Sequence, residues 1–169
     1  MLKSWLRMAC FALLMPAFAA AQEHRPLLDG IDRPASKPPA VVYLYPEQIE
    51  VFAGKPTMVT LHFRIASGLH INSHTPSGDN YLIPTTLSIP DDSGVQLISA
   101  VYPPGAAFSL PLDPATKLSV YTGEFAVRAR IKALPGNHLV EATLRYQACD
   151  NNACMPPKSI SVVMDVIGK

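Results

Sequence analysis

The chain has 169 residues, enough for one domain with appendages. With 14 basic against 13 acidic side chains it is nearly neutral, which argues against a nucleic-acid surface, since that needs a basic excess. Apolar residues make up 49% of it, enough for a real core, and 17 prolines against nine glycines promise many turns and irregular loops.

Residues 1–21 read as a secretory signal peptide. Lys3 and Arg7 charge its start, an apolar run from Met8 to Ala20 follows, and Ala19 and Ala21 form an A-x-A cleavage site, with Ala17 and Ala19 as a second choice. The run is short for a membrane span of about 20 residues, and an uncleaved anchor is the competing reading. Cys10 lies inside this segment, where Arg7 spoils a lipid-attachment site. Cleavage leaves Cys149 and Cys154 as the only cysteines, in a compartment where disulfides persist, and their closeness predicts that they pair. Residues 22–40, with four prolines and mixed charge, read as a flexible tether.

From Val41 onward the pattern has period two. Val59, Leu61, Phe63 and Ile65 alternate with polar residues, and so do Phe125, Val127, Ala129 and Ile131. Val140, Ala142, Leu144, Tyr146 and Ala148 keep one phase, and Ile160, Val162, Met164 and Val166 another. Such alternation marks strands with one buried face. Shorter strands fit near 41–53, 83–89 and 95–102, and no amphipathic helix is predicted. Seven or so strands separated by turns such as "PDDSG" and "LPGN" predict an all-β, immunoglobulin-like antiparallel sandwich over 41–169. Two segments, 73–82 and 103–117, read as loops too long for simple hairpins, and long ordered loops are often functional.

The chemistry-bearing stretch is "YQACDNNACMPP", residues 146–157. The alternation extended from β-type positions 140–148 puts Cys149 with Arg145 and Gln147, away from the core. The pair lies at a hairpin end, between a strand ending near Ala148 and one starting near Lys158. Spacing leaves two readings open. A structural staple of so short a loop contributes roughly 2 kcal/mol, against about 4.7 for a 100-residue loop. A redox pair needs only two sulfurs and access. A third reading joins His70 and His74 to the two cysteines as a metal set, with Met155 as a further ligand for copper. Asp150, next to Cys149, disfavours the thiolate, so the thiols are expected to be sluggish until a partner docks. His62, on a polar strand face, reads as solvated. No G-x-S-x-G, H-E-x-x-H or Gly-rich phosphate loop occurs.

"YQACDNNACMPP" resembles the active-site hairpin of the N-terminal periplasmic domain of thiol:disulfide interchange proteins of the DsbD type. "VTLHFRIASGLHINSH" and "KLSVYTGEFAVRARI" are similar to further strands of that domain, so the likeness spans about residues 41–167. The resemblance implies an immunoglobulin-like fold and a periplasmic location; no cofactor and no metal are expected, since chance pairs of histidines are common and export favours oxidised thiols. It implies a relay that takes electrons from a thioredoxin-like domain fed by a membrane-embedded reductant and hands them to periplasmic disulfide proteins. It assigns the mixed disulfide with the partner to Cys154 and the resolving role to Cys149. It makes 103–117 a cap loop with Phe108 as its aromatic, and it nominates His70 and Asn72 as residues lining the site. This chain departs from the family pattern in having four residues rather than five between the cysteines. Tyrosines stand in the family at the places of His70 and Asn72, and the family's cap loop is acidic. The sequence contains no W-C-x-x-C and no second long apolar segment, so the thioredoxin-like and membrane partners are expected as separate chains. A non-enzymatic binding sandwich with a local structural disulfide is the alternative function, with the metal-binding protein behind it.

Overall fold

The computed structural model describes residues 38–44, 48–77, 81–110 and 113–169. The predicted signal peptide and nearly all of the tether, up to residue 37, lie outside the described residues. Twelve strands occur among those described, and no helix. They are β1 (Val41–Leu44), β2 (Ile49–Val51), β3 (Thr57–Ile65), β4 (His70–Asn72), β5 (Thr86–Ser88) and β6 (Val95–Val101). They continue as β7 (Ala106–Leu110), β8 (Asp113–Tyr121), β9 (Glu124–Ala133), β10 (Gly136–Tyr146), β11 (Ala148–Cys149) and β12 (Lys158–Gly168).

The period-two pattern becomes burial directly. In β3, Val59, Leu61, Phe63 and Ile65 are buried while Thr60, His62 and Arg64 face solvent. In β9, Phe125, Val127, Ala129, Ile131 and Ala133 are buried, and β10 and β12 alternate likewise. One sheet runs β1-β3-β9-β6 and a second β2-β12-β10-β5. Their inner faces share one apolar cluster, from Val41 and Phe63 on one side to Leu144 and Met164 on the other. Two packed sheets of alternating strands make the immunoglobulin-like sandwich that the pattern predicts. All pairings are antiparallel except β2 with β12, where Val166 lies beside Ile49. Each buried Val, Leu or Phe contributes roughly 1.5–3 kcal/mol. Tyr43, Phe63, Phe125 and Tyr121 form a row of rings with centroids 5.5, 5.1 and 4.9 Å apart in turn.

A third sheet, β11-β4-β8-β7, was not foreseen from the sequence. It is fed by tight turns off the sandwich. The β3–β4 turn passes through Gly68 (φ 78°) and the β8–β9 turn through Gly123 (φ 61°). Both need the left-handed region, where a side chain costs free energy and glycine does not. Segment 103–117 is largely not a loop. It holds β7 and the start of β8, with Ala106, Ala107, Phe108 and Ser109 paired to Val120, Ser119, Leu118 and Lys117. Its prolines hid this. Pro103 and Pro104 precede β7, and Pro114 falls where the register shifts between Ser109 and Leu110, so none of the three interrupts the regular ladder. In segment 73–82, residues 78–80 lie outside the described set, and no strand occurs in the remainder.

Candidate active site

The site begins where β10 gives way to β11. Tyr146 ends β10 against Lys158, and Gln147 breaks the strand. Ala148 and Cys149 then pair with Ile71 and His70 of β4 instead. The chain thus leaves one sheet for another across a single residue. Gln147 holds that corner by bonds in four directions. Its Oε1 accepts from Ile83 N–H (3.1 Å) and from Asn72 Nδ2 (3.0 Å). Its Nε2 donates to Met155 O (3.4 Å), and its carbonyl accepts from Asn72 N–H (3.2 Å).

This corner corrects the expected orientation of Cys149. Extrapolated alternation turns it outward, whereas it is 1% exposed. The phase restarts when the strand changes sheets at Gln147, so consecutive Ala148 and Cys149 are both buried. Cys149 is disulfide-bonded to Cys154, with Cα atoms 3.9 Å apart, and the two form an isolated antiparallel bridge. Met155 N–H donates to Ala148 O (2.8 Å) and Asp150 N–H to Ala153 O (3.0 Å), closing the small loop. Within it, Asp150 Oδ1 accepts from Asn152 N–H (2.7 Å) and Ala153 N–H (2.8 Å), a side-chain-closed turn. The result is asymmetric, since Cys154 is exposed while Cys149 is not.

His70 stands opposite Cys149 in the β4–β11 register and is 2% exposed. The Phe108 ring lies over it, with centroids 4.2 Å apart and planes tilted by 36°. Phe108 is half-buried and stands outside the main core cluster. Together with the two glycine turns and Asn151, these side chains line an open cleft of about 610 Å³. Arg64 and Glu124, an exposed ion pair at 2.9 Å, stand on its rim.

Burial pushes the His70 imidazole below its ordinary pKa, and the Asp150 carboxylate pulls weakly the other way. The folded state therefore favours neutral His70, while the unfolded chain takes up a proton near pH 6.5. A depressed folded value means that the stabilising contribution is complete above about pH 6.5 and is lost as pH falls through the folded pKa. Urea unfolding at about pH 7.5 and pH 5.0 should show the parent losing more stability than His70→Phe between the two conditions. Equal losses would contradict a buried, proton-poor His70.

The other nominated residues separate. Asn72 is fully buried, and its Nδ2 donates to Ile83 O (3.1 Å) as well as to Gln147, so it ties strands together beside the cysteine corner. Thr85 Oγ1 donates to Asn72 O (2.6 Å), extending the same knot. His74 does not join the cysteines. Its Nδ1 is engaged by Thr85 O (2.9 Å), and its ring stacks on Tyr102 at 3.9 Å. Among the described residues no group of three or more His, Cys, Asp or Glu is placed to hold a metal ion, so the metal reading finds no ligand set. Gln147 and the Asp150 turn are what reading the sequence missed as structural devices. The strand-breaking polar residue between Tyr146 and Ala148 was their available signal.

Residues 41–165 match the family model described as thiol:disulfide interchange protein DsbD, N-terminal. Among curated proteins nothing matches the chain. Among solved structures, the chain is similar to the reduced N-terminal domain of DsbD from Neisseria meningitidis, at 19% identity and a TM-score of 0.46, over 69% of this chain and 82% of that one. It is also similar to the N-terminal periplasmic domain of ScsB from Proteus mirabilis, at 15% identity and a TM-score of 0.48. That match covers 69% of this chain and 43% of the ScsB chain.

Proposed function

The chain belongs to the family of DsbD N-terminal domains, and from that premise we propose that it is a periplasmic thiol–disulfide exchange module working through Cys149 and Cys154. The observation that carries the reading is the unequal burial of the two cysteines. Exchange begins when a thiolate attacks a disulfide sulfur in line with the bond that breaks. An incoming partner reaches exposed Cys154 and is kept from Cys149. The partner sulfur bonds to Cys154 Sγ, and the Cys149–Cys154 bond breaks with its electron pair on Cys149. A second partner thiolate then attacks the partner sulfur of the mixed disulfide, which frees Cys154 and leaves both cysteines reduced. In the other direction reduced Cys154 attacks a substrate disulfide, and Cys149 resolves the mixed disulfide.

The electron donor is a thioredoxin-like protein supplied by a membrane-embedded reductant, and the acceptors are periplasmic disulfide proteins. Oxidised protein mixed with a reduced thioredoxin-like protein, acid-quenched and weighed, should gain two thiols as the donor gains a disulfide. An unchanged Cys149–Cys154 bond after prolonged incubation would contradict the proposal.

Phe108 acts in this reading as a cover on the His70–Cys149 side of the site. It packs on His70 rather than in the core, so its removal tests cover against core. A core Phe→Ala costs about 3–5 kcal/mol. Phe108→Ala should cost clearly less and should speed both reduction of the pair and alkylation of the reduced thiols. Thermal unfolding and thiol-reaction rates on the same variant decide between the two. A core-sized stability loss with unchanged sulfur reactivity would remove Phe108 from the site.

A further inference from the structure

His70 carries an atom that the fold leaves unexplained. Its Nε2 is buried and has no hydrogen-bond partner. Buried polar atoms in native proteins are nearly always paired, and an exception asks for a reason: strain, an ordered water or ion, or a redox or catalytic role. The β4–β11 register puts this imidazole directly across from Cys149. Directly opposed residues in an antiparallel pair hold their Cβ atoms about 4.5–5.5 Å apart, close enough for side-chain interaction. Both side chains are turned inward, at 2% and 1% exposure.

We propose that His70 is the proton acceptor for Cys149 in the resolving step, an inference that rests on the thiol–disulfide reading above. Cys149 is the sulfur that solvent cannot serve. To attack the mixed disulfide it must lose a proton in a buried place, where a bare thiolate is costly and a free thiol is a poor nucleophile. A neutral imidazole across the strand removes that difficulty. The Cys149 proton passes to the ring, and the thiolate attacks Cys154 Sγ. The Cys149–Cys154 bond forms as the bond from Cys154 to the substrate sulfur breaks. The substrate leaves as a thiolate and takes up the proton from the imidazolium or from water. Two electrons pass from the cysteine pair to the substrate disulfide, and no further reactant is needed. In the opposite direction the same ring returns the proton to the departing Cys149 sulfur.

The surroundings suit a base that is neutral at rest. Burial lowers the His70 pKa, so the acceptor form prevails at neutral pH. The Asp150 carboxylate, which follows Cys149, stabilises the imidazolium once it forms. From β7 the facing group is the uncharged Phe108 ring. Just past β8, uncharged Thr122 lines the same cleft as His70, while Tyr121 pairs with Ile71 on the other face of the strand and its phenol is held protonated by a raised pKa. Arg64 and Glu124 on the cleft rim are paired with each other and exposed, so they add little net field.

The test uses the reduced mature protein and dithiobis-nitrobenzoate, an aromatic disulfide that releases a coloured thiolate at each step. The first release reports attack by Cys154, and the second reports resolution by Cys149. For the parent protein, the second-phase rate should level off across neutral pH and fall only below the His70 pKa. In His70→Phe, the ratio of second- to first-phase rate should fall about tenfold or more at pH 7, and the gap should narrow at alkaline pH as the thiol ionises unaided. The parent profile needs no substitution, so a variant that folds poorly does not remove the test. A parent second phase that climbs about tenfold per pH unit straight through neutral pH, with no plateau, would overturn the role of His70 and leave exchange standing. So would an unchanged ratio in the variant. Release of only one coloured thiolate from the parent would overturn the exchange reading, and this inference with it.

Discussion

Cys149→Ser is expected to trap the mixed disulfide with a partner, and Cys154→Ser to abolish exchange without forming one. The two substitutions are chemically alike and differ only in which sulfur survives. Cys154 is exposed, so in Cys149→Ser it still attacks a thioredoxin-like partner that carries an aromatic thiol in disulfide on its first cysteine and serine in place of its second. The aromatic thiolate leaves, and the protein–protein disulfide stays because neither resolving cysteine remains. In Cys154→Ser the surviving Cys149 is 1% exposed, packed in β11 and opposite His70, and a partner sulfur cannot reach it. Each variant loses the same short disulfide loop, worth about 2 kcal/mol, and Cys149→Ser also buries a hydroxyl. The adduct is therefore expected in the less stable of the two variants, and instability does not account for its absence in the other. Turnover should vanish in both. The adduct, read by non-reducing gel and intact mass, should accumulate only in Cys149→Ser. An adduct on Cys154→Ser, or equal adducts on both, would reverse the assignment of attacking and resolving sulfurs.

Gln147→Leu should be the most damaging substitution outside the apolar core. Leucine keeps the bulk and removes the acceptor for two donors, Ile83 N–H and Asn72 Nδ2. Each buried donor left unpaired costs about 1–3 kcal/mol. Since both lose one shared acceptor, their costs are coupled rather than simply additive, and a total of about 2–4 kcal/mol is expected. The effect should also reach the sulfurs. Gln147 Nε2 holds Met155 O, and Met155 N–H in turn holds Ala148 O, so the corner fixes both ends of the cysteine loop. Urea unfolding should show the loss, and reduction of the Cys149–Cys154 bond by a small dithiol should quicken. A stability change below about 0.5 kcal/mol, the size of an ordinary surface substitution, would contradict the role given to Gln147.

The sandwich was legible because its strands have one wet and one dry face. Leu61 and Phe63 alternate with His62 and Arg64, and the buried face followed from that alone. The third sheet was not legible for the opposite reason. All three residues of β4 are buried, so "HIN" shows no alternation, and His70 and Asn72 do not look like interior residues. β7 is short and only partly covered, and prolines surround it. Cys149 was misread because a strand that changes sheets restarts its phase, and only the polar Gln147 between Tyr146 and Ala148 marks the place. The cysteine hairpin itself, and its likeness to the DsbD N-terminal family, were legible from "YQACDNNACMPP". The contact between Phe108 and His70 depends on how the β7–β8 hairpin folds over β4, which no local pattern encodes.

The central claim is that the Cys149–Cys154 bond is a working redox couple rather than a staple. It is tested most directly by equilibrating the mature protein in graded ratios of reduced and oxidised thiol, quenching with acid, and weighing the two forms. The account predicts a reversible two-electron transition at a potential above about −300 mV, within reach of thioredoxin-like donors. A bond that stays oxidised across the whole series, with a potential well below about −300 mV, would contradict it and make the pair a structural disulfide.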